Sequence, residues 1–144
     1  MSLDRDQSSG LSVIIRARDE ERWIGHSIQS VLDFVSFPEI IIINNGSSDR
    51  TVEIAKHFQA DPELVTNRAY TDIKILDIDE YTPGSAINLG ASEASNDFIM
   101  VLSSHCVLKK FSFCSKGLPL GTGPFPESAN GAPQNWALRR SFAL

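Results

Sequence analysis

The sequence is short of cysteine, of long apolar runs and of the glycine motifs that mark phosphate-binding loops. Two cysteines, Cys106 and Cys114, make no disulfide framework and fit a reducing compartment. No apolar run approaches the roughly 18 residues of a membrane-crossing helix. Met1–Gly10 is polar and lacks the apolar stretch of a signal peptide, so residues 1–10 read as a flexible leader. No GxGxxG follows the first apolar run and no GxxxxGK(S/T) occurs, which removes the usual support for a dinucleotide site or a P-loop. Without GxSxG there is no nucleophile elbow, and the cysteines do not have zinc-knuckle spacing. Basic residues are outnumbered 13 to 18, and a net charge of −5 argues against nucleic acid as a partner.

What is present is an ordinary globular composition: 144 residues, 42% hydrophobic, 8% aromatic and 22% charged, suited to one domain. The charge is uneven. Residues 1–108 carry a net −9, whereas 109–144 carry +4, with a single acid, Glu127, and four of the seven prolines. Composition therefore breaks near Leu108.

Up to that break, strands alternate with helices. Leu11–Ile15 and Glu39–Ile43 are continuous apolar, β-branched runs, as a parallel sheet covered on both faces requires. Ile73–Ile78 and Asp97–Leu102 complete four strands. Between the first two, Asp19 reads as a helix N-cap with Glu20 and Glu21 in the first turn. Trp23, Ile24, Ile28, Val31 and Leu32 then form one apolar face, with Trp23 in the core. Val52, Ala55 and Phe58 space a second helix, residues 60–71 read as a loop, and Ser85–Ala94 reads as a third helix that Asn88 and Gly90 help to pack. This order predicts an α/β fold, a Rossmann-like and mostly parallel sheet of about four strands flanked by helices, with an irregular C-terminal tail.

In such sheets ligands sit beyond the carboxyl ends of the strands. Those ends carry Arg16-Ala17-Arg18-Asp19, then Asn44-Asn45-Gly46-Ser47-Ser48-Asp49, then Asp77 to Tyr81, and finally Ser103-Ser104-His105. Arg16 and Arg18 can meet phosphates. Asp19, Asn44, Asn45 and Asp49 can hydrogen-bond a base or sugar, and His105 can ligate a metal. The Gly46-to-Asp49 turn, placed before a helix, is expected to leave backbone N–H groups free for an anion.

These same blocks resemble the N-terminal half of a family 2 glycosyltransferase. A first strand leads into Asp19-Glu20-Glu21, where the family shows an Asn-Glu-Glu-like segment. A second leads into Asn44-Asn45-Gly46-Ser47-Ser48-Asp49, in place of Asp-Asp-Gly-Ser-Thr-Asp. Ala86-Ile87-Asn88-Leu89-Gly90 stands for an Ala-Arg-Asn-x-Gly helix, and Ser103-Ser104-His105 for the DxD metal motif. The likeness spans about residues 11–107 and implies the GT-A fold, with residues 11–108 as a nucleotide-sugar-binding domain. It implies donor contacts at Arg16, Arg18, Asp19, Asn44, Asn45, Gly46, Ser47, Asp49, Asn88 and Ser103, and a divalent cation, Mn²⁺ or Mg²⁺, at His105.

The departures matter chemically. Asn44-Asn45 removes carboxylates from the second block, and Ile87 removes an arginine from the third. The DxD position has lost both acids. An imidazole suits Mn²⁺ better than Mg²⁺, and a Ser-x-His strand end resembles rhamnosyltransferase-like members of the family. From Lys109 onward no acceptor-site pattern or catalytic base is legible, so the catalytic residues are unassigned. Residues 109–144 are expected to be foreign to the family, as from a shifted reading frame.

The resemblance thus implies transfer of a hexosyl or deoxyhexosyl group from a nucleotide-diphosphate sugar to an acceptor hydroxyl. The acceptor is a glycan, lipid or small molecule, and the chain is short for that function. The alternatives are a non-catalytic nucleotide-binding remnant and, weaker, an unrelated receiver-like module. The expected location is cytoplasmic, with peripheral attachment at the inner membrane face where the acceptor is a lipid.

Overall fold

A computed structural model describes residues 10–35, 37–60 and 72–109 of the chain, and the backbone of 136–139. The expected leader, the loop at 60–71 apart from its first residue, Cys114 and most of the expected irregular tail lie outside those residues.

Four parallel strands form as the apolar runs predict: β1 (Leu11–Ala17), β2 (Glu39–Asn44), β3 (Asp72–Asp77) and β4 (Phe98–Ser103). A fifth strand, β5 (Trp136–Arg139), lies in the stretch without legible periodicity and pairs antiparallel with β4. The sheet order is β3-β2-β1-β4-β5. Helices α1 (Ile24–Phe34) and α2 (Thr51–Ala60) follow β1 and β2, and α3 (Pro83–Glu93) follows β3.

Successive side chains of a strand point to opposite faces, so the sheet has two cores. Val13, Ile15, Ile40, Ile42, Met100 and Leu102 pack beneath α1 and α2. Ile14, Ile41, Ile43 and Ile99 pack beneath Ala86 and Ala91 of α3. Each fully buried aliphatic side chain contributes about 1.5–3 kcal/mol. The second helix layer sits very close: a Cβ on Gly90 would lie 2.8 Å from Ile14 side-chain carbons. Gly90 is thus required by approach, and only a helix with no side chain there can seat on β1.

Helix starts follow local chemistry, with one correction. For α3, Thr82 is the N-cap: Ser85 N–H donates to Thr82 Oγ1 at 3.0 Å, and Thr82 N–H donates to Ser85 Oγ at 2.8 Å. Pro83 opens the helix, where its fixed φ is favourable. For α1 the expected cap at Asp19 is wrong. The helix begins only at Ile24, its N-cap position is Trp23 with no side-chain cap bond, and Glu20 and Glu21 precede it. Asp19 stands at φ 50°, a left-handed conformation that aspartate tolerates better than most residues. Trp23, expected in the core, is 51% exposed because it precedes the first helical residue and falls off the Ile24–Ile28–Val31–Leu32 stripe.

The amino end of the sheet is closed by one buried carboxylate. Glu39, 5% exposed, accepts from Ser12 Oγ, from Lys74 Nζ at 2.8 Å, and from Ser95 N–H and Oγ at 2.8 and 2.9 Å. Burial alone would raise its pKa. The hydrogen bonds from Lys74, Ser12 and Ser95 outweigh burial and hold the carboxyl below its ordinary range.

Candidate functional site

The strand order places the site. From β1 the chain proceeds outward through β2 and β3, then returns to the other side of β1 as β4. The crevice at such a reversal, beyond the carboxyl ends of the strands, is where ligands bind in open α/β sheets. A cavity of about 340 Å³ opens there.

Its floor is the end of β1. Arg16 pairs in register with Ser103 of β4, and Ser104 N–H donates to Arg16 C=O at 3.3 Å. Ala17 ends β1, and Arg18 and Glu20 continue the lining from the β1–α1 loop, Asn45 from the end of β2, Tyr81 from beyond β3, and Ser104 and His105 from the end of β4. Of the residues selected from sequence, Arg16, Arg18, Asn45, Ser103 and His105 meet at this cavity. The sequence places Glu20 in the first turn of α1; since α1 begins only at Ile24, Glu20 instead lines the cavity, with Oε1 3.6 Å from His105.

Arg16 is the residue whose chemistry is incomplete. Its Nε is buried and has no hydrogen-bond partner among the described residues. A guanidinium brings five donors in a rigid planar fork, and leaving one buried and unused carries a desolvation cost. Its place beside the cavity gives a ligand oxygen the chance to complete it.

Asp19, Asn44, Gly46, Ser47, Asp49 and Asn88 do not line the cavity, and the structure shows what most of them do instead. Asn44, 6% exposed, donates from Nδ2 to Asp77 at 2.7 Å and accepts Ser47 N–H at 3.2 Å. Asp19 accepts Ser48 N–H at 2.7 Å, and its own N–H donates to Ser47 Oγ at 3.1 Å. Asp49 accepts Glu21 N–H at 3.0 Å, Thr51 N–H at 2.9 Å and the Thr51 hydroxyl. Glu21 in turn accepts Arg50 N–H at 3.2 Å. Partial burial pushes the Asp49 carboxyl up, but the bonds from Thr51 and Glu21 prevail and its pKa is lowered. The expectation that this turn offers free N–H groups to an anion is therefore corrected: those of Ser47, Ser48, Arg50 and Thr51 already serve the chain's own side-chain oxygens. Gly46, at φ 59°, supplies the left-handed residue that the turn needs. Asn88 lies exposed on α3.

The fit of a divalent cation can be judged from the donor set. His105 Nδ1 lies 3.6 Å from Glu20 Oε1 and 3.3 Å from Ser103 Oγ. Among the described residues, Glu20 is the one carboxylate lining the cavity. Among the described residues no three His, Cys, Asp or Glu side chains gather closely enough to hold a metal ion. Mg²⁺ and Mn²⁺ favour carboxylate and other oxygen ligands. One imidazole beside one carboxylate, each already within reach of the other, does not make a resident site for either ion.

Comparison with known proteins agrees with this architecture. A family model described as Glycosyl transferase family 2 matches residues 12–113. The poly-beta-1,6-N-acetyl-D-glucosamine synthase of Staphylococcus epidermidis is 31% identical over 108 residues, which are 73% of this chain and 24% of that protein. The chain thus spans about a quarter of that relative's length. Among solved structures, the mannosyltransferase PcManGT from Pyrobaculum calidifontis, in complex with GDP-Man and Mn²⁺, superposes with a TM-score of 0.60 at 11% identity, covering 70% of this chain and 29% of that one. Residues 1–349 of S. aureus TarS in complex with UDP-GlcNAc give a TM-score of 0.56 at 18% identity, covering 67% and 26%. At these identities the likeness establishes a shared fold.

Proposed function

The chain belongs to glycosyl transferase family 2, and on that premise we propose that its cavity receives a nucleotide-diphosphate sugar whose sugar passes to an acceptor hydroxyl. The observation that supports this reading is the convergence of Arg16, Arg18, Asn45, Ser103 and His105, from three strand ends, on one cavity at the sheet's reversal point. In this reading Arg16 and Arg18 meet the diphosphate, where a guanidinium fork matches phosphate oxygens. Asn45 hydrogen-bonds a base or sugar edge, and Tyr81 offers an aromatic face to a ring.

Transfer by inversion has the acceptor oxygen attack the anomeric carbon as the nucleoside diphosphate leaves, with a base taking the hydroxyl proton. Among the described lining residues Glu20 is the one carboxylate, and it lies 3.6 Å from His105; no base is assigned. Any cation that takes part would find only His105 and Glu20 here, and the donor's own phosphate oxygens would have to supply further ligands. The acceptor class stays open among glycan, lipid and small molecule. Among the described residues no helix is long and apolar enough to cross a membrane. The reading keeps the cytoplasm as the location, with a membrane face as the workplace for a lipid acceptor.

Titration calorimetry with UDP-, GDP- and dTDP-sugars tests the reading. Saturable binding of one donor class, weakened in Arg18→Ala, is the expected result. Failure of every donor to bind would remove it.

A further inference from the structure

We infer that the cavity grips the donor's diphosphate with arginine, Arg16 foremost, and that this grip needs no resident divalent cation. The inference rests on the nucleotide-sugar reading above and specifies how that site meets phosphate.

Three independent observations carry it. First, the donor set is wrong for a cation. The end of β4 presents two hydroxyls and an imidazole, and Glu20, the carboxylate among the described lining residues, lies 3.6 Å from that imidazole. Second, the lining is cationic without a metal. It holds two guanidinium groups, Arg16 and Arg18, against one carboxylate, Glu20. Third, Arg16 is a donor in want of an acceptor. Its buried Nε has no hydrogen-bond partner among the described residues, although nearby carboxylates such as Asp19 and Asp49 find backbone donors.

A diphosphate brings several negative oxygens into a cleft with low-dielectric walls, where its charge must be balanced by cations or metal. A half-buried guanidinium has already lost part of its hydration, so an incoming phosphate replaces missing bonds instead of competing with water. Ser103 and His105, at the two positions where the resembling motif has carboxylates, add no negative charge to repel the phosphates. Among the described lining residues Glu20 alone is acidic, and two arginines exceed it.

The experiment measures binding of UDP, GDP and dTDP to the full chain by calorimetry, once in EDTA and once in Mn²⁺. The expected result is that the nucleotide preferred in Mn²⁺ binds in EDTA with a Kd within about threefold, and that inorganic pyrophosphate displaces it. Arg16→Met should weaken binding in EDTA by at least about tenfold, the loss of a charge-assisted phosphate contact, and Arg16→Lys should fall between. Binding that needs Mn²⁺, or binding indifferent to Arg16→Met in a variant with an unchanged circular dichroism spectrum, would overturn the inference while leaving the donor reading intact. No binding in either arm would remove the donor reading and the inference together. Should Arg16→Met fail to fold, Arg16→Lys carries the test of Arg16, and the EDTA arm with pyrophosphate competition on the unaltered chain tests the metal-free grip.

Discussion

Two ends of one sheet face handle buried charge in opposite ways. At the amino end, Ser12 and Glu39 are register partners on β1 and β2, Lys74 reaches Glu39 from two residues farther along β3, and Glu39 is saturated with donors. At the carboxyl end of the same face, Arg16 and Ser103 are register partners and Arg16 Nε lacks any acceptor among the described residues. Ile14 and Gly90 separate the two ends. The residues are equally polar in type, so their polarity alone does not say which end works. What differs is satisfaction: one end spends its hydrogen-bonding capacity on the fold, and the other leaves a buried donor without a partner among the described residues, as the proposed diphosphate grip requires.

That contrast can be broken first at Glu39. Glu39→Ala strands Lys74, Ser12 and Ser95 at a buried position and should cost about 3 kcal/mol, the lower part of the range for breaking a buried pair because Lys74 is partly exposed. Urea unfolding at neutral pH reads it, and nucleotide binding should survive in the folded fraction. The pH dependence has a definite sign. The folded pKa of Glu39 is depressed, so its contribution is complete above the ordinary carboxylate range and is lost as pH falls through and below it. The stability gap between wild type and Glu39→Ala should therefore close on acidification, and a gap that widens would contradict the network.

Between the ends, Gly90→Ala places a Cβ against Ile14, itself fully buried. Overpacking should outweigh the better helix propensity and cost about 1–2 kcal/mol, seen as a lower urea midpoint. Asn44→Ala orphans Ser47 N–H and Asp77 and should cost about 1 kcal/mol. The smallest effect on stability is expected at the other end. Arg16→Met removes an unsatisfied buried donor and should change stability by less than about 1 kcal/mol, in the stabilising direction, while weakening nucleotide binding. A large loss of stability there would erase the distinction between the ends.

The contrast also explains what was legible in the sequence. The four parallel strands show plainly because LSVII and EIIII leave no alternative to a sheet covered on both faces. Their ends locate the cavity, since topology alone sends Arg16, Asn45 and Ser103 to one place. The division of labour within the loops was not legible. Asp19 looks like a helix cap in sequence, yet its acceptors are taken by Ser48, from a loop distant along the chain. Asn44, Ser47 and Asp49 look like ligands because ligand contacts and loop braces use the same polar groups. Trp23 looks like core until the helix start is known. Strand β5 escaped because four residues among prolines and glycines carry too little pattern, and pairing with β4 supplies what propensity does not.

The hydrogen bonds that join the β1–α1 and β2–α2 loops have a mechanical consequence. Asp19, Glu21 and Asp49 fasten backbone groups of one loop to side chains of the other, so the two segments form one rigid jaw. Their amide protons should exchange with solvent as a single cooperative unit. On the proposed donor reading, Arg18 and Glu20, carried on that jaw, would meet an entering molecule already in position, and little conformational freedom would be lost on that side when it docks.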